Sequence, residues 1–330
     1  MTLGKENLVV VYFDYDTQAF APVCTKADCS HVPGDMKCTA NLIARNLSTI
    51  CVYQNRLWYL KEKTGREKLS DPQSTLLCRA DITGENEEIL YTWEMSIFPG
   101  SVLYENCFYG VDIQDRYDEN YQLAGFMSRL VSVDLESGEI TEIEETEQTE
   151  IYPYYILGFY EGKIYYQYHP CEKYLNGAIL AYDCKTREKE ELSLAEGYLG
   201  SSKLKKNYLA YVMSDAGQTI LYVIDLTEGK EISIPIAADI SWRLFEEEIL
   251  LIQDRRQYGR YHLETGKYDT VVGTDNFASS FSVAFSTGVG YVGRIVDEND
   301  FLTEYAYISK EDFDRADEPT VLTKDEYPIW

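Results

Sequence analysis

Three cysteines and a histidine near the start of the chain have residue types that can bind a metal ion or form a redox site. They are Cys24, Cys29, His31 and Cys38, in the spacing C-x4-C-x-H-x6-C. Zinc in proteins takes four thiolate or imidazole ligands in a tetrahedron, and a Pro-Gly pair before the last cysteine favours a loop that folds back. The pattern therefore predicts a zinc site within residues 24–38.

The same residues also fit a different chemistry. Their spacing is not that of the common C-x2-C zinc motifs, so a disulfide between Cys24 and Cys38, with Cys29 as a free thiol, accounts for the cysteines equally well. Either arrangement would make the loop sensitive to metal or to redox conditions. From the sequence, the metal site and the disulfide both stand as interpretations of this loop.

The cysteines outside this loop lie in a different context. Cys51, Cys78 and Cys107 fall within apolar runs that are typical of strands. A thiol in such a run packs as a small hydrophobic group. We expect these three side chains to be buried and without a chemical role.

Two acidic stretches are weaker candidates for a ligand-binding site. One contains Asp115, Asp118 and Glu119, and the other contains Asp297 and Asp300. Carboxylate oxygens bind Ca²⁺ or sugar hydroxyls, but neither stretch has the D-x-D-x-D-G spacing of a calcium loop. Because the whole chain carries a formal charge of −26, ordinary solvated loops are the more economical interpretation.

A strand that ends in a polar, usually acidic residue and is followed by a short turn recurs along the chain. Glycine in such turns accepts the positive φ that a tight hairpin requires. Between successive copies lie further strand-like runs, so that intervals of roughly 40 to 65 residues carry four strands each, as in a propeller blade. The residues at the strand ends are Asp14, Asp81, Asp134, Asp183, Asp225 and, in a sixth copy, His262.

These repeats predict an all-β fold, a β-propeller of about seven blades, with six or eight as alternatives. Blade one is expected to be incomplete or to be completed by the C-terminal residues, because few residues precede the first hairpin. No linker divides the sequence, so residues 1–330 are predicted to form a single domain, with the 24–38 loop between blades one and two. Inner strands are expected at about residues 47–53, 101–104, 154–159, 200–204, 240–244 and 279–285.

Composition narrows the class of partner. The chain has 330 residues, of which 29 are tyrosine, a residue that suits half-buried strand surfaces. Its formal charge of −26 repels nucleic-acid phosphates and anionic lipid, and no window is apolar enough to span a membrane. We expect a monomer that binds a glycan, a peptide or a protein, and no nucleic acid.

The segment around the first cysteine resembles a known group of proteins. Pro22-Val23-Cys24, then Lys26-Ala27-Asp28-Cys29-Ser30-His31 and a further cysteine, is similar to the opening of uncharacterised β-propeller proteins from Gram-positive gut anaerobes. Many of these are predicted lipoproteins, related to TolB-like and lipoprotein-receptor-like propellers. The resemblance implies an extracytoplasmic protein, secreted or lipid-anchored. The first residues lack the basic and apolar regions of a signal peptide, so we expect the export segment to lie outside the given sequence.

The patterns together predict a non-catalytic extracytoplasmic propeller that binds a ligand or protein. The sequence contains no G-x-S-x-G, H-E-x-x-H or G-x-x-x-x-G-K-[ST] motif. A carbohydrate-active enzyme, either a glycosidase or a lyase, is the first alternative, because its carboxylates would come from distant blades and leave no local spacing. A metal- or redox-responsive module acting through the Cys/His loop is the second.

Overall fold

Repeated antiparallel strands account for most of the structure, a computed structural model of the chain. Contacts divide the chain into two compact units: Arg45–Pro235 form one, and Met1–Ala44 with Ile236–Trp330 form the other. No helix among the described residues is long and apolar enough to cross a membrane. The described residues are 10–14, 16–17, 19–31, 35, 37–44, 47–62, 74–93, 96–97, 101–120, 122–149, 153–169, 177–253, 257–271, 280–296, 302–315 and 319–321.

The first described elements are an antiparallel hairpin and a short helix. The elements are β1 (Val11–Asp14), β2 (Ala19–Pro22) and α1 (Thr39–Ala44). The backbone of Val10 joins the hairpin to the helix, since its amide donates to the carbonyl of Ala40 and its carbonyl accepts from the amide of Val23. These two hydrogen bonds hold together the two ends of the segment that carries the cysteines and the histidine.

The unit Arg45–Pro235 consists of four antiparallel sheets whose strands pair in chain order. In the second sheet the first strand is in two pieces, each of which pairs with a different part of the next strand. The first sheet is β3 (Leu47–Tyr53), β4 (Arg56–Glu62), β5 (Thr75–Asp81) and β6 (Glu88–Trp93). The second is β7 (Ser96–Ile97), β8 (Val102–Tyr104), β9 (Cys107–Tyr117), β10 (Leu123–Asp134) and β11 (Ile140–Thr149). The third is β12 (Tyr154–Tyr160), β13 (Lys163–Tyr168), β14 (Ala178–Asp183) and β15 (Lys189–Glu191), and the fourth is β16 (Tyr198–Lys205), β17 (Tyr208–Asp215), β18 (Gln218–Asp225) and β19 (Lys230–Ile236).

The other unit adds two further four-stranded sheets to the hairpin and helix α1. A second short helix, α2 (Lys310–Arg315), follows the third strand of the last sheet. The fifth sheet is β20 (Ser241–Leu244), β21 (Glu248–Gln253), β22 (Gln257–His262) and β23 (Tyr268–Val271). The sixth is β24 (Ser280–Ser286), β25 (Gly290–Val296), β26 (Leu302–Ser309) and β27 (Thr320–Val321).

A strand begins near each position predicted for an inner strand, whereas the predicted number of blades is not confirmed. Strands β3, β8, β12, β16, β20 and β24 begin within two residues of the predicted positions. The described residues form six sheets with a full set of strands, so six blades replace the predicted seven. The first hairpin stays a separate two-stranded sheet, because none of the described residues adds a further strand to it.

Four of the five acidic residues that recur at the strand ends close the turns that follow them through amide hydrogen bonds, whereas the carboxylate of Asp81 accepts from the side chain of Asn86. Oδ1 of Asp134 accepts hydrogen bonds from the amides of Glu136 and Ser137, at 3.0 and 2.7 Å. Amide hydrogen bonds of this kind stabilise the ionised carboxylate and lower its pKa. The same pair of bonds forms at Asp14, Asp183 and Asp225. The repeat seen in the sequence is therefore a local turn device that needs no distant partner.

Buried tyrosines on the second strands of four sheets account for part of the tyrosine and glutamate content. Each phenol donates a hydrogen bond to a glutamate carboxylate. Burial and the nearby carboxylate raise the pKa of these phenols, so they remain protonated donors. The pairs are Tyr59–Glu87, Tyr166–Glu144, Tyr211–Glu231 and Tyr291–Glu248, with oxygen–oxygen distances of 2.6, 3.1, 3.0 and 2.5 Å.

Helix α2 contributes one buried side chain, Phe313, to the core of the last two sheets. Its ring centroid lies 5.1 Å from that of Tyr258 and 4.7 Å from that of Tyr291. Tilted and edge-to-face contacts at these distances are the preferred arrangement of aromatic rings. Because none of the Phe313 surface is exposed, this ring anchors the helix.

A network of charged side chains borders the same core. Arg260 and Glu248 are only 5% and 2% exposed. The Arg260 guanidinium lies 2.7 Å from Asp314 and 3.2 Å from Glu248, and Glu248 also accepts from Tyr291 and lies 3.4 Å from the Lys310 ammonium. A buried charge is costly unless it is paired. These contacts therefore pair the buried charges and tie helix α2 to the fifth sheet.

A glycine pattern in the sixth sheet has the spacing of a nucleotide-binding loop but a different structure. Gly288, Gly290 and Gly293 follow the spacing G-x-G-x-x-G. Such a loop binds a dinucleotide where it joins a parallel strand to a helix, whereas these glycines lie in and after the turn between antiparallel β24 and β25. A Cβ at Gly293 would lie 2.5 Å from the Phe281 ring. The absence of a side chain at Gly293 therefore allows the Phe281 ring to pack against the backbone.

Candidate metal centre

The Cys/His loop, residues 24–38, connects strand β2 to helix α1. Cys24 follows Val23 directly after the strand, and Cys38 precedes the first residue of the helix. Turns bring the other ligands inward, since the amide of Cys29 donates to the carbonyl of Lys26 at 3.2 Å. His31 has a φ of +55°, a left-handed conformation that is uncommon outside glycine.

The structure brings the four predicted ligands together. The three sulfur atoms and an imidazole nitrogen of Cys24, Cys29, His31 and Cys38 all lie within 4.8 Å of one another. Cys24 and Cys38 are buried, and Cys29 and His31 are partly exposed. A tetrahedral zinc ion about 2.3 Å from each sulfur would place the sulfurs about 3.8 Å apart. A small contraction of the observed cluster reaches that geometry.

Neighbouring polar groups orient the ligands. The amide of His31 lies 3.4 Å from the Cys29 sulfur, to which it donates, and that sulfur lies 3.7 Å from a carboxylate oxygen of Asp35. The carbonyl of Asp35 accepts from the amide of Cys38 at 3.0 Å and from the side chain of Asn41 at 3.2 Å. Asp35 therefore links three parts of the site, the second cysteine, the last cysteine and helix α1.

Two thiols of the cluster, Cys24 and Cys29, have shifted pKa values. Burial raises the pKa of Cys24, but hydrogen bonds from Thr39 and from the backbone of Lys26 lower it more strongly, to about 6. Burial raises the pKa of Cys29 to about 12, and the neighbouring thiols of Cys38 and Cys24 add to the rise. Adjacent thiolates repel one another. A divalent cation would remove this repulsion and allow all three to ionise.

The chemistry of the ligands indicates what the cluster can hold. Three thiols with one imidazole form a set of soft and borderline ligands that can hold a metal ion. All seven described cysteines are free thiols, so the alternative disulfide between Cys24 and Cys38 is not present in the structure. Cys171 lies outside the described residues.

Among the described residues, neither Asp118 nor Glu119 belongs to a cluster of potential metal ligands. Oδ1 of Asp118 accepts from the amides of Asn120 and Gln122, both at 2.8 Å, so this carboxylate closes the turn between β9 and β10. Glu119 is exposed in the same turn, and Asp115 lies on β9. The other two candidates, Asp297 and Asp300, lie outside the described residues.

The prediction for the strand cysteines is right for Cys78 and wrong for Cys51. Cys78 is fully buried, and Cys107 is partly buried. Cys51 is exposed, and the neighbouring Val52 is 65% exposed. The end of β3 is therefore apolar in sequence but accessible in the fold, which hydrophobicity alone does not reveal.

Sequence reasoning missed the polar residues that surround the ligands, which are Asp35, Asn41 and Thr39. Thr39 is the first residue of helix α1 and hydrogen-bonds the Cys24 sulfur. The available signal was a threonine directly after the last cysteine and before a short apolar run, which is typical of a helix start. Six residues are too few for a clear helical period, so the helix itself was missed.

Comparisons with known proteins support the fold. No family model matches the sequence, and no curated protein is similar enough to be identified as a relative. An oligogalacturonate lyase in complex with manganese is 13% identical with a TM-score of 0.57, covering 92% of this chain and 84% of that one. A Vibrio parahaemolyticus oligogalacturonate lyase is 12% identical with a TM-score of 0.54, covering 93% and 98%. A prolyl endopeptidase is 11% identical with a TM-score of 0.59; it covers 98% of this chain, which spans 53% of the endopeptidase.

The chain is an all-β propeller, and its described residues form six blades. At these low identities the similarity establishes the fold and carries no function. The narrower resemblance to lipoprotein-like propellers of gut anaerobes stays a prediction from the Cys24–His31 segment.

Proposed function

We propose that this chain is a non-catalytic, extracytoplasmic binding propeller in which Cys24, Cys29, His31 and Cys38 hold one structural zinc ion. The observation that carries the metal site is the convergence of three sulfurs and an imidazole nitrogen within 4.8 Å. Four protein ligands fill a zinc tetrahedron and leave no open position for water or substrate. The ion would therefore stabilise the loop, and binding would occur elsewhere on the propeller.

The ligand chemistry favours zinc over manganese, the metal named for one of the lyases. Manganese prefers carboxylate, carbonyl and water ligands, whereas thiolates favour zinc, copper(I) or iron–sulfur clusters. With three thiols and one imidazole, the loop matches the Cys₃His sites of structural zinc. Asp35, which contacts the Cys29 sulfur, would act as an outer partner of the site.

Charge favours a binding role over a lyase that acts on acidic sugars. Oligogalacturonate, the substrate named for two of the similar structures, is a polyanion. A chain with a formal charge of −26 repels polyanions over long range and attracts cationic partners. Incubation with oligogalacturonate and manganese should therefore release no unsaturated product, and such release would support the enzyme instead.

The extracytoplasmic location rests on the resemblance of the Cys24–His31 segment. A zinc ion bound by all three thiolates would protect them from oxidation in that compartment. Fractionation of the source cells, with detection of the native protein, tests the location. Recovery in the cytosol would contradict it.

Metal analysis tests the zinc site. Protein purified without added metal should contain one zinc ion per chain, and a chelator should lower its thermal stability. Titration of free thiols after denaturation should find no disulfide between Cys24 and Cys38. Protein without zinc and with that disulfide would contradict the metal site and favour the redox alternative, in which a reductant rather than a chelator loosens the loop.

A further inference from the structure

A cleft at one end of the second and third sheets of the unit Arg45–Pro235 combines aromatic and acidic side chains. Its volume is about 680 Å³, within the range of small-ligand pockets. Turns between strands form it, so the backbone sets its shape. Its side chains include Tyr104, Glu105, Phe159, Glu161, Asp183 and Lys185.

Two aromatic rings form the apolar part of this cleft. Tyr104 ends strand β8, and Phe159 lies near the end of β12. Their ring centroids are 4.1 Å apart with an interplanar angle of 28°, a stacked pair. Both rings also pack against the core cluster of the second and third sheets, which fixes their orientation. A ligand therefore meets a preformed aromatic surface.

Three carboxylates provide the polar part. Glu105 and Glu161 lie in tight turns, with φ values of +50° and +44°. Oδ1 of Asp183 accepts from the amides of its own turn, which hold its pKa below the ordinary value and keep it ionised. No lysine or arginine among the described residues forms an ion pair with these three carboxylates. Among the described residues, Lys185 is the only cation that lines the cleft.

This combination matches one chemical group better than others. A guanidinium group stacks on aromatic rings and donates to carboxylates in a planar fork. Each carboxylate accepts a neutral hydrogen bond but has no cationic partner among the described residues, so an anionic sugar would be repelled and a neutral sugar would use the rings but leave the charges unmatched. A lysine ammonium satisfies the charge but stacks less well on a ring pair.

We propose that this cleft binds an arginine side chain of a basic peptide segment in a protein partner. The inference rests on the proposed binding function and specifies its ligand class and its site. The guanidinium lies against the Tyr104–Phe159 pair, and the carboxylates of Glu105, Glu161 and Asp183 accept its N–H groups. Binding weakens with salt, because the attraction is partly between exposed charges.

Two triple variants with equal loss of charge test the site. The cleft variant carries Glu105→Gln, Glu161→Gln and Asp183→Asn, in which the asparagine keeps an acceptor for its turn. The control variant removes three negative charges outside the cleft. It carries Asp225→Asn, which changes the equivalent turn residue of the next sheet, and Glu228→Gln and Glu264→Gln, which are exposed.

The probe is the labelled peptide Gly-Arg-Gly-Arg-Gly, with a peptide of the same length that carries citrulline, the neutral analogue of arginine, as comparison. Binding is measured by fluorescence anisotropy on zinc-containing protein. We expect the cleft variant to weaken binding of the arginine peptide at least tenfold and the control variant less than twofold. Phe159→Leu, which keeps every charge, should weaken it about threefold.

Equal weakening by the two triple variants would show non-specific attraction and overturn the proposal. Equal binding of the citrulline peptide, or no binding of the arginine peptide to the wild type, would also overturn it. If the wild type does not bind the arginine peptide but binds a neutral glycan in an array, the cleft proposal is contradicted. The proposed binding function is unaffected by that result. Unchanged zinc content and thermal midpoint show that each variant is folded.

Discussion

The Cys/His loop and the Arg260 network both bring ionisable side chains close together, and both lie in the unit that contains the last two sheets. In the network, charges of opposite sign alternate, since Arg260 contacts both Glu248 and Asp314. In the loop, the three thiols would all carry the same sign once ionised. In the network, opposite charges are therefore paired by its own residues, whereas the loop, in the proposed function, takes up a cation from solution.

The two regions also differ in the apolar packing beneath them. Phe313 and Tyr291 in the network region have no exposed surface and pack ring against ring. The loop buries Cys24 and Cys38 but leaves His31 partly exposed. The stability of the loop should depend on metal, and that of the network region on hydrophobic packing.

The largest expected effect is that of Cys38→Ser. Removal of this buried ligand should abolish zinc binding and lower the free energy of unfolding by at least about 5 kcal/mol, because a lost structural metal is among the most destabilising changes. Zinc content and chemical denaturation measure the two effects. Cys51→Ser, at an exposed thiol outside the loop, should change stability by less than about 0.5 kcal/mol. Full zinc content in the Cys38 variant would remove the distinction between the two regions.

Phe313→Ala should have the next largest effect. Loss of a fully buried ring between Tyr258 and Tyr291 should lower the free energy of unfolding by about 4 kcal/mol, through lost burial and the cavity left behind. Zinc content should stay at one ion per chain, because the loop does not depend on this core. A variant that loses zinc together with stability would show that the two regions are coupled. Chemical denaturation and metal analysis of one preparation give both values.

Tyr291→Phe should have the smallest effect of the three. The change keeps the buried ring and removes only the hydroxyl that donates to Glu248 at 2.5 Å. We expect a loss of about 2 kcal/mol, the usual range for a hydrogen bond to a charged group. Glu248 keeps its contacts with Arg260 and Lys310, which limits the loss. A loss as large as that of Phe313→Ala would mean that the network, rather than the packing, carries the stability of this region.

The sequence predicted local features well, because their causes are local. The recurring aspartates mark turns whose hydrogen bonds reach only two or three residues ahead, as at Asp134. The four ligands of the Cys/His loop are also close in sequence, so their convergence needs only a compact loop. The inner strands followed from the same repeat.

The features that sequence reasoning missed depend on distant residues. Tyr104 and Phe159 lie in successive sheets, with β9, β10 and β11 between them in the chain, and nothing in either segment indicates that their rings stack. The partner of Tyr291 is Glu248, which lies in the preceding sheet. The exposure of Cys51 likewise depends on what packs against β3. Pairings of this kind leave no periodicity, so an amphipathic pattern does not reveal them.

The aspartate turns make the stability of the fold depend on pH, and each further turn adds to this dependence. In the folded chain the amide hydrogen bonds hold the pKa of Asp14, Asp134 and Asp183 below the ordinary value of 3.8, so the unfolded chain takes up protons first as the pH falls. The stabilisation by these carboxylates is complete when the pH is above the ordinary pKa. It is lost as the pH falls through the lowered pKa values of the folded chain. Because the same turn recurs at several strand ends, several carboxylates contribute to this pH dependence, all in the same direction.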